Sequence, residues 1–174
     1  MIYFIRHGET EYNKEARFQG HLDVPLSKTG IAQAGTALEQ SKKYSFDKIY
    51  TSPLSRAKQT AEIINKHHNA PVIEDDRLKE IYMGSLQGKF LKDLSYEEKR
   101  LAFSNPEHFG GETHEEFCKR AISFFKEIEN TTETILIVSH GGTYRALYKY
   151  LNNLNSLEFN LKPLPNAEIV LLKK

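Results

Sequence analysis

Thr134-Ile135-Leu136-Ile137-Val138-Ser139-His140-Gly141-Gly142 is the stretch from which the fold is read. Its apolar run is continuous instead of alternating, which suits a strand at the centre of a sheet, covered on both faces. Residues 2–5, 48–51 and 167–172 read as further strands, with a weaker one at 72–74. Helical patterns fill the intervals. From Ser27, the apolar Ile31, Ala34, Gly35 and Leu38 follow the i, i+3, i+4, i+7 spacing. Ser52 is expected as an N-cap with Pro53 at the first helical position, and Leu54, Ala57, Ala61 and Ile64 as the buried stripe. Thr113-His114-Glu115-Glu116 fits a capping box, opening a helix with Phe117, Ala121, Phe124, Phe125 and Ile128 inward. A last helix starts near Gly142 and is expected to bury Tyr144, Leu147, Tyr148 and Leu151. Strands alternating with helices imply βαβ units, hence a three-layer α/β/α sandwich on a mostly parallel sheet, one domain over residues 1–174. Residues 89–111 are the least regular; they read equally as a helical lid over a site or as a crossover excursion.

Composition narrows the function. The chain has 174 residues, 24 basic against 23 acidic side chains and 39% hydrophobic residues, which argues against disorder. With a net charge of +1 and no broad basic surface, duplex nucleic acid is not an expected partner. No run approaches the ~20 apolar residues of a membrane span, so no membrane partner is expected. The apolar run before Arg6 is too short for a signal peptide, and the single Cys118 cannot form an internal disulfide, so a reducing cytoplasm is expected. A homodimer is admitted by this composition but not indicated by it.

Ligands in open α/β sheets bind beyond the carboxyl ends of the strands. Arg6-His7-Gly8-Glu9-Thr10 follows the first strand, Ser52-Pro53-Leu54-Ser55-Arg56 the second, and His140-Gly141-Gly142 the central one. Two histidines and two arginines therefore converge on one sheet edge. Crowded cations repel unless an anion joins them, and guanidinium groups bind phosphate oxygens through paired donors. Glycines 8, 141 and 142 would let backbone N–H groups approach the same anion. A metal held by His7, His140 and a carboxylate is disfavoured by the adjacent arginines, and no other cofactor is implied. A histidine beside fixed cations is held neutral and is available as a nucleophile toward phosphorus. A carboxylic group must then protonate the leaving oxygen, and Glu9, Glu80 and Glu112 are the candidates, with Glu80 favoured.

The motifs resemble the histidine phosphatase superfamily, also called phosphoglycerate mutase-like. They are Arg6-His7-Gly8-Glu9-Thr10 with Asn13; Gln19-Gly20 with Asp23, Pro25, Leu26 and Gly30; and Ser52-Pro53-Leu54-Ser55-Arg56-Ala57 with Gln59-Thr60-Ala61. Leu78, Glu80, Gly84, Gln87-Gly88, Gly111-Glu112-Thr113 and Ser139-His140-Gly141-Gly142 continue them in family order. The resemblance implies that His7 is the phosphorylated histidine and that Arg6, Arg56 and His140 complete the phosphate pocket. It implies Asn13 and the Gly141 backbone as further phosphate contacts, Gln19 on the substrate side and Glu80 as proton donor. Cofactor-dependent mutases of this family carry a longer, more basic insertion after the Glu80 region and tend to have Thr at the position of Gln19. The short stretch here, with only Lys89, Lys92, Lys99 and Arg100, points to a phosphatase hydrolysing small phosphomonoesters; a phosphoglycerate mutase is the alternative.

Blander readings cover the remaining residues. His67 and His68 read as helix C-terminal charges, and His21, His108 and His114 as surface or lid residues, His108 nearest substrate. Cys118 reads as a structural thiol, and Tyr82, Phe90, Tyr96, Phe103 and Phe109 as core residues, a pocket role for one or two of them being the alternative. A silent phosphate-binding module would normally lack the nucleophile or the acid, and both are present here.

Overall fold

A computed structural model describes residues 1–154 and 164–174. Its strands are β1 (Ile2–Arg6), β2 (Lys48–Thr51), β3 (Val72–Glu74), β4 (Ile135–Ser139) and β5 (Ile169–Lys173). They form one sheet in the order β3-β2-β4-β1-β5, parallel except for β5, which runs antiparallel along β1. All five residues of β4 are buried, as its unbroken apolar run requires.

Helices α1 (Glu11–Lys14), α2 (Lys28–Ser41), α3 (Ser55–His68), α4 (Tyr96–Ser104), α5 (His114–Ile128) and α6 (Gly141–Asn152) surround it. The period-two alternation of the strands sorts the core into two layers. Ile2, Phe4, Ile135 and Ile137 face α5 and α6 through Phe117, Ala121, Phe124, Phe125, Ala146 and Leu147. Tyr3, Ile5, Ile49, Leu136 and Val138 face the other way, toward Ala37 of α2 and Ala57, Ala61 and Ile64 of α3. The architecture is the expected three-layer α/β/α sandwich.

Four local expectations need correction. On α2 the buried positions are Gly30, Ala34, Ala37 and Ser41, while Ile31 is 51% exposed. The helix lies so close to the loop after β1 that a Cβ on Gly30 would stand 2.0 Å from the Glu9 carbonyl oxygen, so the contact face takes the smallest residues. Helix α3 begins at Ser55, two residues beyond Pro53, and its N-cap Leu54 offers no side-chain bond. Asp23, from a separate loop, accepts the Ser55 N–H at 2.7 Å and the Ser55 hydroxyl at 2.8 Å, placing a carboxylate at the helix N-terminus where the backbone dipole favours it. On α6, Tyr144, Tyr148 and Leu151 are only half-buried, and Gly142, Thr143, Ala146 and Leu147 face the core. There a Cβ on Gly142 would come within 3.2 Å of the Phe117 ring, so the tight side again selects small residues. Finally, β5 starts at Ile169, because Ala167 adopts a left-handed turn at φ 58° and donates its N–H to the Arg6 carbonyl at 2.9 Å.

Residues 89–111 contain α4 between two short 3₁₀ turns, at Leu91–Asp93 and Pro106–Phe109. A small separate core of Met83, Leu86, Leu94 and Ala102 fixes this stretch over the sheet edge.

The two glycines of α2 should respond oppositely to one extra methyl. Gly35→Ala meets nothing within 4 Å, so improved helix propensity should raise stability by about 0.5–1 kcal/mol. Gly30→Ala must displace backbone and should lower stability by about 2 kcal/mol or more. Urea denaturation midpoints read both.

Candidate active site

Parallel register builds the site. Arg6 pairs with Ser139 and Thr51 with Val138, so β1, β4 and β2 end together. The ladder runs one step further, with His7 N–H donating to Ser139 O at 2.9 Å and Ser52 N–H to Val138 O at 3.0 Å. His7, Ser52 and His140 are therefore side by side, and Arg56 follows within the first turn of α3. A cavity of about 580 Å³ opens over this edge and takes in Arg6, His7, Asn13, Gln19, Arg56 and Glu80.

His7 is 3% exposed, and its Nδ1 lies 2.7 Å from the Gly8 carbonyl. A carbonyl has no hydrogen to give, so Nδ1 carries the ring proton and Nε2 holds the lone pair. Burial pushes the His7 imidazole well below its ordinary value, with Arg56 and then Arg6 acting in the same direction and the Gly8 bond opposing. His140, also fully buried, is held low by burial first and Arg56 second; its ring centroid is 5.2 Å from that of His7. His140 Nε2 is 2.8 Å from Ser52 Oγ. That hydroxyl accepts the Leu54 N–H at 3.3 Å and can give its own hydrogen to Nε2, the arrangement in which the ring proton of His140 sits on Nδ1.

The arginines are oriented by main-chain oxygens. Arg56 donates to Leu22 O and Gly20 O, both at 2.8 Å, and Arg6 to Leu164 O at 3.0 Å. Burial lowers Arg56 to about 10, against the pull of Glu80 and Asp23, which leaves it charged at neutral pH. The buried Arg6 Nε, Arg56 Nε, His140 Nδ1 and Arg145 Nε have no protein partner among the described residues. Three of these, on Arg6, Arg56 and Arg145, belong to residues that line the cavity and form a host for an anion, with His140 beside His7 at the same strand ends.

Two of the three glycines serve otherwise than expected. Gly8 gives its N–H to Thr60 Oγ1 at 3.1 Å, and a Cβ there would stand 2.5 Å from Gly30 O. Gly142 gives its N–H to Glu80 Oε2 at 3.1 Å, while Gly141 lies against the Arg6 side chain. Of the three candidate acids, only Glu80 lines the cavity. Glu9 accepts the Ser27 hydroxyl at 3.1 Å and anchors the loop; Glu112 is engaged by Arg120 at 2.6 and 2.8 Å. Asn13 Oδ1 accepts the Thr10 N–H in a capping box that starts α1, and Gln19 accepts the Thr10 hydroxyl.

The far wall is apolar: Phe18, Ile81, Met83, Ala102, Phe103 and Pro106, the last three from the 89–111 stretch. Phe103 is the aromatic of that stretch that reaches the cavity, and His114, not the exposed His108, also does so. Arg17 and Arg145 line it too and were not anticipated. For Arg145 a signal existed: it stands four residues after Gly141 on α6, on the same helix face. Arg17 is fixed by the Tyr12 ring, 4.0 Å below its guanidinium, a contact no local pattern announces.

Comparison with known proteins gives one family, with relatives named as phosphatases and others as probable phosphoglycerate mutases. The family model described as histidine phosphatase superfamily (branch 1) matches residues 2–173. The "Uncharacterized phosphatase PhoE" of Bacillus subtilis (strain 168) is 36% identical over 148 residues, 84% of this chain and 74% of that protein. A metal-independent phosphoserine phosphatase of Arabidopsis thaliana is 34% identical over 166 residues, 89% of this chain and 70% of its own length. Among solved structures, a mycobacterial glucosyl-3-phosphoglycerate phosphatase in complex with VO3 superposes with a TM-score of 0.86 at 30% identity, over 97% of this chain and 88% of that one.

The depressed histidines make stability pH-dependent. Near pH 7.5 folded and unfolded chains both hold these rings neutral, but below about 6.5 the unfolded chain takes up protons that the folded one refuses. Stability should therefore fall as pH drops. Between pH 6.5 and 5.5 the wild type should lose about 1 kcal/mol more than His7→Gln, measured by urea denaturation in phosphate-free buffer.

Proposed function

The chain belongs to the histidine phosphatase superfamily and is a phosphomonoester hydrolase, and we propose that it works through a phosphohistidine at His7. The observation that carries this reading is the His7 ring itself: Nδ1 tied to the Gly8 carbonyl, Nε2 free of that bond, and two guanidinium groups beside it. His7 Nε2 attacks phosphorus in line with the departing oxygen. Arg6, Arg56 and His140 Nδ1–H hold the equatorial oxygens, where positioning and charge stabilisation do most of the work of phosphoryl transfer. As the P–O bond breaks its electrons go to the leaving oxygen, which takes a proton from Glu80. Glu80, now a carboxylate, then takes a proton from the water that hydrolyses the phosphohistidine. Asn13 and the Gly141 backbone serve as further phosphate contacts and Gln19 faces the leaving group. Gly8 acts through its carbonyl, as the group that orients His7. Residues 1–174 act as one domain, with 89–111 as its lid.

Charge narrows the substrate. Four arginines line the cavity (Arg6, Arg17, Arg56 and Arg145) against Glu80 as the one carboxylate. Arg17 is paired with Glu15 at 3.3 Å. Arg6, Arg56 and Arg145 therefore meet the phosphomonoester's charge of about −2, and with Glu80 acting as proton donor one cation is left for a second anionic group. The phosphoserine and glucosyl-phosphoglycerate of the named relatives both carry a carboxylate near the phosphate. A small carboxylated phosphomonoester is therefore the substrate class assigned here, with its carboxylate at Arg145 and its remaining body on the apolar wall. Among the described residues no helix is long and apolar enough to cross a membrane. A cytoplasmic location fits this and the single cysteine.

Two experiments test these assignments. Labelled phosphoester quenched on the enzyme should leave an acid-labile, base-stable adduct, and His7→Ala should lose the adduct and at least about 10³-fold in kcat. Equal hydrolysis of p-nitrophenyl phosphate by both proteins refutes the nucleophile, and isomerised phosphoglycerate without free phosphate would mark a mutase. Arg145→Ala should raise KM for phosphoserine about 10-fold or more, a charge-assisted bond's worth, while moving KM for p-nitrophenyl phosphate far less. Equal shifts for both esters would remove the carboxylate from Arg145.

A further inference from the structure

Glu80 sits between two 3₁₀ turns, at Asp76–Leu78 and Gly84–Leu86, with no strand ladder or α-helix to supply its backbone partners. Four consecutive carbonyls, from Arg77 to Glu80, are captured instead by side chains. Arg120 of α5 donates to Arg77 O at 2.8 Å, Lys79 O at 2.7 Å and Glu80 O at 2.9 Å. Ser139 Oγ donates to Leu78 O at 2.6 Å, and His21 Nε2 also reaches Glu80 O at 2.7 Å. The remaining donors of Arg120 form a bidentate pair with Glu112, at 2.6 and 2.8 Å, and its guanidinium lies 4.8 Å from the Phe117 ring centre. All five N–H groups of the guanidinium are thus engaged. Glu112 closes the arrangement: its N–H donates to Tyr82 O at 2.9 Å, and its carboxylate accepts the Tyr82 N–H at 3.3 Å. Gly111 beside it leaves room for no side chain, since a Cβ would stand 2.6 Å from Tyr82 O.

We infer that the Arg120–Glu112 pair is a positioning clamp that sets the Glu80 carboxyl at the leaving-group oxygen. The inference rests on the reading of Glu80 as proton donor. Arg120 itself touches the segment on the side of its main-chain oxygens, whereas the Glu80 carboxyl is turned to Gly142 N–H and Ile81 N–H. Its influence therefore passes through the backbone, and a guanidinium is needed because only a planar fork reaches three carbonyls and a carboxylate at once. If the clamp loosens, proton delivery suffers while the phosphate half, built on β1, β2 and β4, keeps its geometry.

Leaving-group chemistry separates these halves. p-Nitrophenolate departs without a proton, whereas an alkoxide needs one, so kcat/KM is compared for p-nitrophenyl phosphate and glycerol 3-phosphate. Glu80→Gln should lower the alkyl value by about 10²-fold or more and the aryl value far less. Arg120→Lys and Glu112→Gln, which keep size and polarity, should each shift the alkyl-to-aryl ratio at least about 10-fold in the same direction. In combination with Glu80→Gln, either should change the ratio no further, because the group being positioned is gone. If Glu80→Gln shifts the ratio but both clamp variants leave it within about twofold of wild type, or depress both esters equally, the clamp is refuted. Should one clamp variant lose all activity, the other decides alone by the same criterion. If Glu80→Gln itself leaves the ratio unmoved, the proton-donor reading fails, and the clamp with it.

Discussion

Arg56 is 1% exposed and carries its charge beside a second arginine and two imidazoles, and this is the constraint around which the site is organised. A buried guanidinium is tolerable only with its donors satisfied and counter-charge at hand. The chain supplies Gly20 O and Leu22 O as direct acceptors and Glu80 and Asp23 as nearby negative charges. The same Asp23 caps α3, the helix that carries Arg56, so the loop before α2 both holds the helix end and offsets the charge it delivers. Burial first, and the fixed arginine second, make the protonated forms of His7 and His140 the species the site rejects. A neutral nucleophile and an anion host thus come from one electrostatic arrangement, with the charge kept on groups that cannot lose it near neutrality.

Close backbone approach is the second consequence. Gly8 and Gly30 let the loop after β1 press onto the start of α2, and Gly142 lets the Glu80 carboxyl reach the N-terminus of α6. Seen from sequence, Gly8 and Gly142 looked like openings for an anion. They are openings for other parts of the protein, which spend the amides of Gly8 and Gly142 on Thr60 and Glu80. Rigidity is the return, since a site whose loops cannot move holds its donors where charge develops.

What could be read in advance follows from which interactions leave a local trace. Strand β4 was legible because burial on both faces demands an unbroken apolar run, and His7, Arg56 and His140 because polar residues just past such runs meet at one edge. The faces of α2 and α6 were misjudged because spacing counts apolar residues, whereas tight crossings select small ones, as Gly30, Ala34 and Ala37 show. The start of α3 was misplaced because its cap, Asp23, lies 32 residues before Ser55. Arg120 was silent for a related reason. Its partners are main-chain oxygens some 40 residues away, and a carbonyl has no residue type to recognise.

The division between legible and illegible parts coincides with a division of chemical labour. The phosphate half hangs on the ends of three adjacent parallel strands, where register alone fixes the spacing of His7, His140 and Ser52. The leaving-group half has no such ladder: Glu80 and the apolar wall stand on segments held by side-chain captures and by the small core of Met83, Leu86, Leu94 and Ala102. Chemistry that every phosphomonoester shares can be left to the sheet, because the phosphoryl group never changes shape. The part that must suit one particular alcohol or acid is better built from segments whose geometry depends on individual side chains. Each such side chain can change without disturbing the strand register that places the nucleophile.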